Sequence, residues 1–177
     1  GLLETFPRGH RNFLVCYPFE GRLAHTTLAM LLHYLKGQQA TVLADQFLYY
    51  AQGFPRLRVA PDVMVIFNVE PGGRDNYKTW EEGQVPAVIF EITSPGTRDK
   101  DDIEKKQLYE KIGVTEYWQF DPKAEWIPGQ LRGYQLVQDV YQLISNNISL
   151  ALGLRLEPAN TLISFHRLDS GAKLLLP

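Results

Sequence analysis

Cysteine is nearly absent from this sequence: Cys16 is the one thiol among 177 residues. A single thiol excludes an intramolecular disulfide and is typical of proteins from a reducing compartment. Long apolar stretches are missing as well, since no run approaches the roughly 20 apolar residues that a membrane-spanning helix needs. No secretory leader is apparent. These absences predict a cytoplasmic protein that does not enter a membrane.

An excess of positive charge is also lacking. Lysine and arginine number 18 and aspartate and glutamate 20, which gives a formal net charge of -2. A protein with this balance has no overall basic field to attract nucleic acid, so any contact with phosphate must come from a local cluster of lysine and arginine. The 45% hydrophobic and 21% charged residues are ordinary for a soluble globular protein with a substantial core.

Two apolar runs each contain a carboxylate that a purely structural design would avoid. Asp62 opens the run Val63–Phe67, and Glu91 lies inside a second run over residues 85–93. Continuous apolar runs of this length are typical of strands that are covered on both faces. A carboxylate in such a place costs free energy unless something binds it. A hydrogen bond at a strand end explains Asp62 by itself, but it explains Glu91 less well.

Lys105 is the third ionisable residue that points toward a core. The pattern predicts a helix over residues 99–112, in which Lys105 shares a face with the apolar residues three, four and seven positions further on. Taken alone, this lysine would more readily extend along the helix to solvent. Taken with Asp62 and Glu91, it completes the set expected of a metal site with a helper base.

The order of the predicted elements indicates a mixed α/β sheet with helices on its faces. A helix over residues 23–36 comes first, and a strand over 116–121 follows the 99–112 helix at the spacing of a parallel crossover unit. Antiparallel C-terminal strands are predicted at residues 131–137, 141–144, 152–156 and 161–165. The polar stretch 68–84 is long for a connection and is a candidate functional loop.

We treat residues 1–177 as a single domain, with a core at about 20–122 and a β extension over 123–177. A short edge strand is also expected at residues 13–17, and two further short strands are expected at residues 41–43 and 46–50. The aromatic residues Tyr117, Trp118 and Phe120 of the 116–121 strand are predicted to lie in the core.

Five segments carry a joint pattern: residues 60–63 (APDV), 80–83 (WEEG), 90–94 (FEITS), 105–109 (KKQLY) and 113–122 (GVTEYWQFDP). Together they resemble a bacterial family of putative restriction endonucleases in the PD-(D/E)XK nuclease superfamily. The similarity runs from about residue 23 to residue 156. It implies a restriction-endonuclease-like fold and a metal-dependent endonuclease that hydrolyses phosphodiester bonds of DNA, with RNA as the other substrate.

The resemblance also implies roles for individual residues. Asp62 corresponds to the aspartate of the superfamily motif and Glu91 to its second acid, while the motif's lysine position is Thr93 here. Lys105 corresponds to a lysine that this family carries on the following helix. The catalytic residues implied are Asp62, Glu91 and Lys105, and the metal ligands are Asp62, Glu91 and Ile92. The metal implied is Mg²⁺, with Mn²⁺ as a substitute.

Relatives carry a glutamate early in the first helix, and the corresponding neighbourhood here holds Glu20 and His25. Basic side chains near strand ends are candidates for contact with nucleic acid. They are Arg56, Arg58, Arg74, Lys78, Arg98 and Lys100. In the 68–84 stretch, Tyr77 and Trp80 are candidates for stacking on a base.

Two main classes of function stay open. A third possibility is the metal-assisted hydrolysis of a phosphoester that is not a nucleic acid. One is the endonuclease, expected as a homodimer that pairs through its C-terminal strands. The other is a catalytically silent nuclease fold that serves as a nucleic-acid-binding or oligomeric interaction module. Catalysis is favoured if the carboxylates of Asp62 and Glu91 share one cleft with the Lys105 ammonium within a few ångströms.

Overall fold

The computed structural model describes residues 19–93 and 98–177. For residues 98–101 it describes the main chain and not the side chains. The helices in this part are α1 (Phe19–Tyr34), α2 (Thr79–Glu82) and α3 (Arg98–Ile112). The strands are β1 (Ala40–Ala44), β2 (Leu48–Tyr49), β3 (Arg58–Val59), β4 (Val63–Phe67), β5 (Tyr77–Lys78), β6 (Val88–Ile92), β7 (Glu116–Phe120), β8 (Leu131–Val137), β9 (Val140–Ile144), β10 (Ile148–Ser149), β11 (Leu154–Ala159) and β12 (Leu162–Arg167). The edge strand expected at 13–17 lies outside the described residues. Within that description, no helix has both the length and the apolar character needed to cross a membrane.

Six strands form one mixed sheet in the order β1-β4-β6-β7-β8-β9. β6 and β7 run parallel and are joined by α3, whereas the other neighbours in this sheet are antiparallel. Two separate three-stranded sheets have the orders β10-β11-β12 and β3-β2-β5. This architecture confirms the predicted mixed α/β sheet with flanking helices, the parallel crossover unit and the antiparallel C-terminal strands.

The large sheet is covered on both faces, because alternate residues of its strands enter two different apolar clusters. Along β4, Val63 and Val65 belong to the cluster under α1, and Met64 and Ile66 belong to the cluster under α3. The second cluster also includes Tyr109 of α3 together with Leu48 and Tyr77 of the small β3-β2-β5 sheet. α3 and the small sheet therefore cover the same face of the large sheet. Tyr117, Trp118 and Phe120 are buried, as predicted.

The largest difference from the sequence prediction lies in the stretch 68–84, which was expected to be a loop. It contains β5 and α2, and β5 pairs in parallel with β2. The Arg74 guanidinium holds the stretch together, since one nitrogen lies 2.7 Å from a Glu82 carboxylate oxygen and donates to the Glu70 main-chain oxygen at 2.6 Å. A strand of two residues, such as β5, has no local periodicity. Its pairing with β2 therefore could not be predicted from the sequence.

Candidate active site

The register of two neighbouring strands brings Asp62 and Glu91 together. β4 and β6 are antiparallel with Val63 opposite Phe90, so Asp62 and Glu91 occupy the next step of the ladder. The Asp62 Oδ2 atom accepts a hydrogen bond of 2.6 Å from the main-chain N–H of Ile92, which holds the strands in this register. The two carboxylates thus meet at one end of the large sheet, although 29 positions separate them in sequence (91 − 62).

Helix α3 places two functional groups over Glu91. The Lys105 Nζ atom lies 3.3 Å from Glu91 Oε2, and the Tyr109 hydroxyl donates a 2.7 Å hydrogen bond to Glu91 Oε1. Residues four apart lie one turn above each other on a helix, so both reach the same carboxylate. The Lys105 side chain is 30% exposed and the Glu91 side chain 7%. The Glu91 carboxylate thus lies beside the Lys105 ammonium and within the electrostatic influence of Asp62.

Burial and charge make Glu91 an unusual acid. Burial, together with the negative charge of Asp62, raises the pKa of Glu91 to about 8, although Lys105 and the Tyr109 hydrogen bond act in the opposite direction. Without a bound cation, burial and the Asp62 charge therefore favour the protonated form of Glu91 by raising its pKa. A divalent cation between Glu91 and Asp62 would favour the ionised form of Glu91, because opposite charge lowers the pKa of an acid.

A third carboxylate, which sequence reasoning missed, lies beside Asp62. Asp45 directly follows β1, where Ala44 is opposite Val63, and its main-chain N–H donates to the Asp62 main-chain oxygen at 3.2 Å. Partial burial and the charge of Asp62 raise the pKa of Asp45 to about 6, although 51% of its side chain is exposed. Only the sheet order reveals this neighbour, because nothing in the local sequence indicates that β1 lies next to β4.

The polar row continues on the other side of Glu91. Gln119 of β7 is opposite Glu91, and Arg132 of β8 is opposite Gln119. The Arg132 Nε atom donates a 2.8 Å hydrogen bond to Gln119 Oε1. Asp45, Asp62, Glu91, Gln119 and Arg132 thus form a row across five neighbouring strands, with a cation at one end and the acids at the other. Sequence reasoning also missed Gln119 and Arg132.

The two α1 residues considered as auxiliary groups lie in different places. His25 is buried, and its Nε2 atom lies 3.8 Å from Asp45 Oδ2. Glu20 lines a small cavity together with Thr93 and Trp126. The Thr93 hydroxyl, at the superfamily's lysine position, accepts a 3.0 Å hydrogen bond from Trp126 Nε1. His25 is thus the one that adjoins the row of acids, through Asp45.

The basic side chains predicted to contact substrate are scattered. Arg58 lies on the Phe47 ring, with its guanidinium carbon 4.2 Å from the ring centroid. The Lys78 Nζ atom is 3.6 Å from a Glu81 carboxylate oxygen. Arg56 is exposed in the turn before β3. Arg74 is engaged with Glu82 as described above, and the side chains of Arg98 and Lys100 lie outside the described residues.

Tyr77 and Trp80, the two residues predicted to stack on a base, differ in their exposure. The prediction that Tyr77 stacks on a base is wrong, because its ring is fully buried and its hydroxyl donates to the Gln84 main-chain oxygen at 2.6 Å. Trp80 is half-buried in α2. Two other aromatic side chains, the exposed Phe47 and the half-buried Tyr49, flank the buried Leu48 of β2. The strand predicted at residues 46–50 carried the available signal, because alternation puts Phe47 and Tyr49 on the face opposite Leu48.

Few atoms near Asp62 and Glu91 could coordinate a metal ion. In the part of the chain that is described, no group of three or more His, Cys, Asp or Glu side chains is arranged to hold a metal ion. Asp62 and Glu91 supply two carboxylates, and Ile92 can add only its main-chain carbonyl oxygen. Mg²⁺ keeps several waters and usually takes one or two carboxylates, so this donor set fits it. A structural zinc site would need four protein ligands.

Comparisons with known proteins bear on the family and the fold. The model of the Uma2 family, described as "Putative restriction endonuclease", matches residues 17–166. The crystal structure of a putative nuclease belonging to DUF820 from Anabaena variabilis ATCC 29413 aligns with a TM-score of 0.51 at 16% identity, covering 76% of this chain and 72% of that chain. At this identity the structural likeness shows the fold alone. No curated protein sequence matches the chain.

Proposed function

Because the chain belongs to the Uma2 family of putative restriction endonucleases, we propose that it is a Mg²⁺-dependent endonuclease acting on DNA. The observation that carries the proposal is the meeting of Asp62, Glu91 and Lys105 at one end of the large sheet, with the Lys105 ammonium 3.3 Å from a Glu91 oxygen. An acidic pair beside an amine suits hydrolysis of a phosphodiester better than it suits a passive scaffold.

Asp62 and Glu91, with the main-chain carbonyl of Ile92, would hold the metal, and Mn²⁺ would replace Mg²⁺ there. When bound, the metal lowers the pKa of a coordinated water and polarises a phosphoryl oxygen. Glu91 must lose its proton before it can bind a cation. The neighbouring Lys105 charge assists that loss, because it opposes the rise in the pKa of Glu91.

Lys105 and Tyr109 would act on different oxygens of the Glu91 carboxylate. The Tyr109 hydroxyl holds one oxygen of Glu91 in place at 2.7 Å and so fixes the orientation of the carboxylate. The Lys105 ammonium lies at the other oxygen, at 3.3 Å, where it can orient the attacking water or offset negative charge on the phosphorane. The partial exposure of Lys105 leaves that ammonium accessible to a phosphate.

A plasmid-nicking assay tests the function. The purified protein is expected to convert supercoiled plasmid into nicked and linear forms with 5′-phosphate ends in Mg²⁺ or Mn²⁺, and EDTA is expected to stop the reaction. A structured RNA of similar length serves as the competing substrate. Cleavage that persists in EDTA would contradict the metal requirement. An intact plasmid with either metal would favour the catalytically silent binding module.

We propose further that two copies pair through β9, the outer strand of the large sheet. Val140 and Leu143 on this strand are 57% and 63% exposed, and an open strand edge with apolar side chains is a common pairing surface. Paired copies can cut both strands in one encounter. Linear plasmid should therefore accumulate from the start of the reaction, and complete nicking before any linear form would speak against pairing.

Two replacements of Lys105, one without and one with a positive charge, test whether its charge contributes to cleavage. Lys105→Met is expected to slow cleavage at pH 7 by about 100-fold, as is usual for loss of a group that assists proton transfer. It should also move the rise of the pH–rate profile to higher pH, because the Lys105 charge lowers the pKa of Glu91. Lys105→Arg keeps the charge and should keep the profile in place. The measurement is the cleavage rate between pH 6 and 10.

Lys106→Met is the matched control on the same helix. The Lys106 Nζ atom lies 4.4 Å from the centroid of the Tyr134 ring rather than at Glu91. Its replacement is expected to change the rate by no more than about twofold, as for most substitutions away from a site. Equal effects of the two substitutions would contradict a specific role for Lys105.

A further inference from the structure

The outer face of the small β3-β2-β5 sheet carries two aromatic rings, the exposed Phe47 and the half-buried Tyr49. On β2, Leu48 is fully buried, and its neighbours Phe47 and Tyr49 point to the opposite side because side chains alternate along a strand. Phe47 is 42% exposed, and the centroids of the two rings are 6.1 Å apart. Two adjacent rings on an outer sheet face offer a flat apolar surface to a binding partner.

The same face carries two cations in register with the rings. Tyr49 is opposite Arg58 of β3 on one side and opposite Lys78 of β5 on the other. The Arg58 guanidinium carbon lies 4.2 Å from the Phe47 ring centroid, and its Nη1 atom donates to the Tyr49 hydroxyl at 3.2 Å. Each ring thus has a positive charge beside it. Lys78 is partly neutralised by Glu81, whereas exposed Arg56 adds a further charge nearby.

We propose that this surface, the aromatic platform (Phe47, Tyr49, Arg58 and Lys78), binds unpaired nucleotides of single-stranded DNA. The inference rests on the proposed nuclease function and names the part of the substrate held outside the acid site. Aromatic rings stack on bases without regard to sequence, and flanking cations neutralise the phosphates between them. Rings flanked by cations suit a polyanion with stackable bases better than they suit an apolar protein surface.

The position of the platform supports this reading. The chain runs from Arg58 to Asp62 in four residues, which span at most about 14 Å when extended. Phe47 lies two residues after Asp45, the acid next to Asp62. The small sheet also covers the same face of the large sheet as α3, which carries Lys105. The platform is therefore tied to the acids by short segments of chain, so that a nucleic acid strand held on it would need only a few further nucleotides to reach them.

Fluorescence anisotropy tests the platform apart from cleavage. The probe is a labelled single-stranded dT oligonucleotide of about 15 nucleotides, titrated with the full chain in EDTA so that no metal-dependent cleavage occurs. The double variant Phe47→Ala/Tyr49→Ala is expected to bind at least about tenfold more weakly, as for loss of a stacked base. Arg58→Gln, which keeps both rings, should weaken binding and reduce its salt dependence.

The matched control is Phe54→Ala, which removes a phenyl ring that is 63% exposed in the turn between β2 and β3 but lies outside the platform. Its affinity should equal that of the unaltered chain. A second control is the duplex form of the same oligonucleotide, whose bases are already stacked and should bind more weakly to the rings. Thermal unfolding of each variant checks that the sheet is intact.

These experiments distinguish failure of the aromatic platform from failure of the proposed nuclease function. No binding of the oligonucleotide by the unaltered chain, or equal affinity of the double variant, would overturn the platform even if plasmid cleavage is normal. Weaker binding by the double variant, in a chain that never cleaves, would support the platform and overturn the nuclease. Binding of a U₁₅ RNA with no detectable binding of the DNA would overturn the assignment of DNA as the ligand.

Discussion

Asp62→Asn is expected to lower plasmid cleavage by at least about 100-fold. Loss of a metal-binding carboxylate removes several kcal/mol of transition-state stabilisation, and each 1.36 kcal/mol corresponds to a tenfold change in rate. The amide keeps an oxygen that can accept the 2.6 Å hydrogen bond from the Ile92 N–H, so the strand register should survive. The effect is therefore expected in the rate and not in the thermal unfolding temperature.

Asp139→Asn provides the matched control for this loss of one carboxylate. Asp139 is exposed in the turn between β8 and β9, at the end of β8 that lies away from Arg132. Its main-chain φ of 67° is tolerated by asparagine as readily as by aspartate. Cleavage by this variant should match that of the unaltered chain. Undiminished cleavage by Asp62→Asn would remove Asp62 from the active site.

Glu91→Gln is expected to raise the unfolding temperature at pH 8.5 by about 5 °C, and to change it little at pH 5. The folded chain raises the pKa of Glu91 from 4.5 to about 8, so between these values the folded state binds more protons than the unfolded state. The free energy of unfolding therefore falls as the pH rises through this window. Glutamine cannot ionise, and its oxygen can still accept the Tyr109 hydrogen bond, so it avoids that loss.

Metal addition gives this prediction a second readout. At pH 8.5, Mg²⁺ should raise the unfolding temperature of the unaltered chain, because a cation that binds only the folded state stabilises it. The Glu91→Gln variant, with one carboxylate fewer, should show little response. Scanning fluorimetry across pH 5–9, with and without Mg²⁺, measures both effects. Glu125→Gln, at an exposed position, is the control.

One result would refute the electrostatic description of Glu91. If Glu91→Gln shifts the unfolding temperature by the same amount at pH 5 and at pH 8.5, the side chain does not titrate within this window. A uniform decrease would instead indicate that glutamine fails to satisfy the contacts with Tyr109 and Lys105, which would make the role of Glu91 structural.

Local patterns were sufficient to predict the elements that carry the proposed catalytic groups. The apolar run after Asp62 and the run around Glu91 are long enough to be recognised as buried strands, and both form strands of the large sheet. The apolar residues of α3 that follow Lys105 predicted which way the lysine points, and Lys105 lies against Glu91 as that face requires. Their catalytic roles stay predictions until the variants are measured.

Of the two paired short strands, β2 lies inside the strand predicted at residues 46–50, whereas β5 was not predicted, because two residues show no alternation of their own. Pairing between the two strands decides which side of β5 is buried. That pairing buries Tyr77, which was expected to stack on a base, and leaves Tyr49 on the outer face.

The sequence by itself predicted the fold class, the two strand acids Asp62 and Glu91, and the helix face that carries Lys105. Each follows from a periodicity or a residue type that can be recognised over a few turns or strand residues. Only the tertiary structure decided which strands became neighbours. The order β1-β4-β6-β7-β8 placed Asp45 beside Asp62 and Arg132 two strands from Glu91. Alternation specifies the face on which a side chain lies, whereas the identity of the adjacent strand depends on packing between segments far apart in the chain.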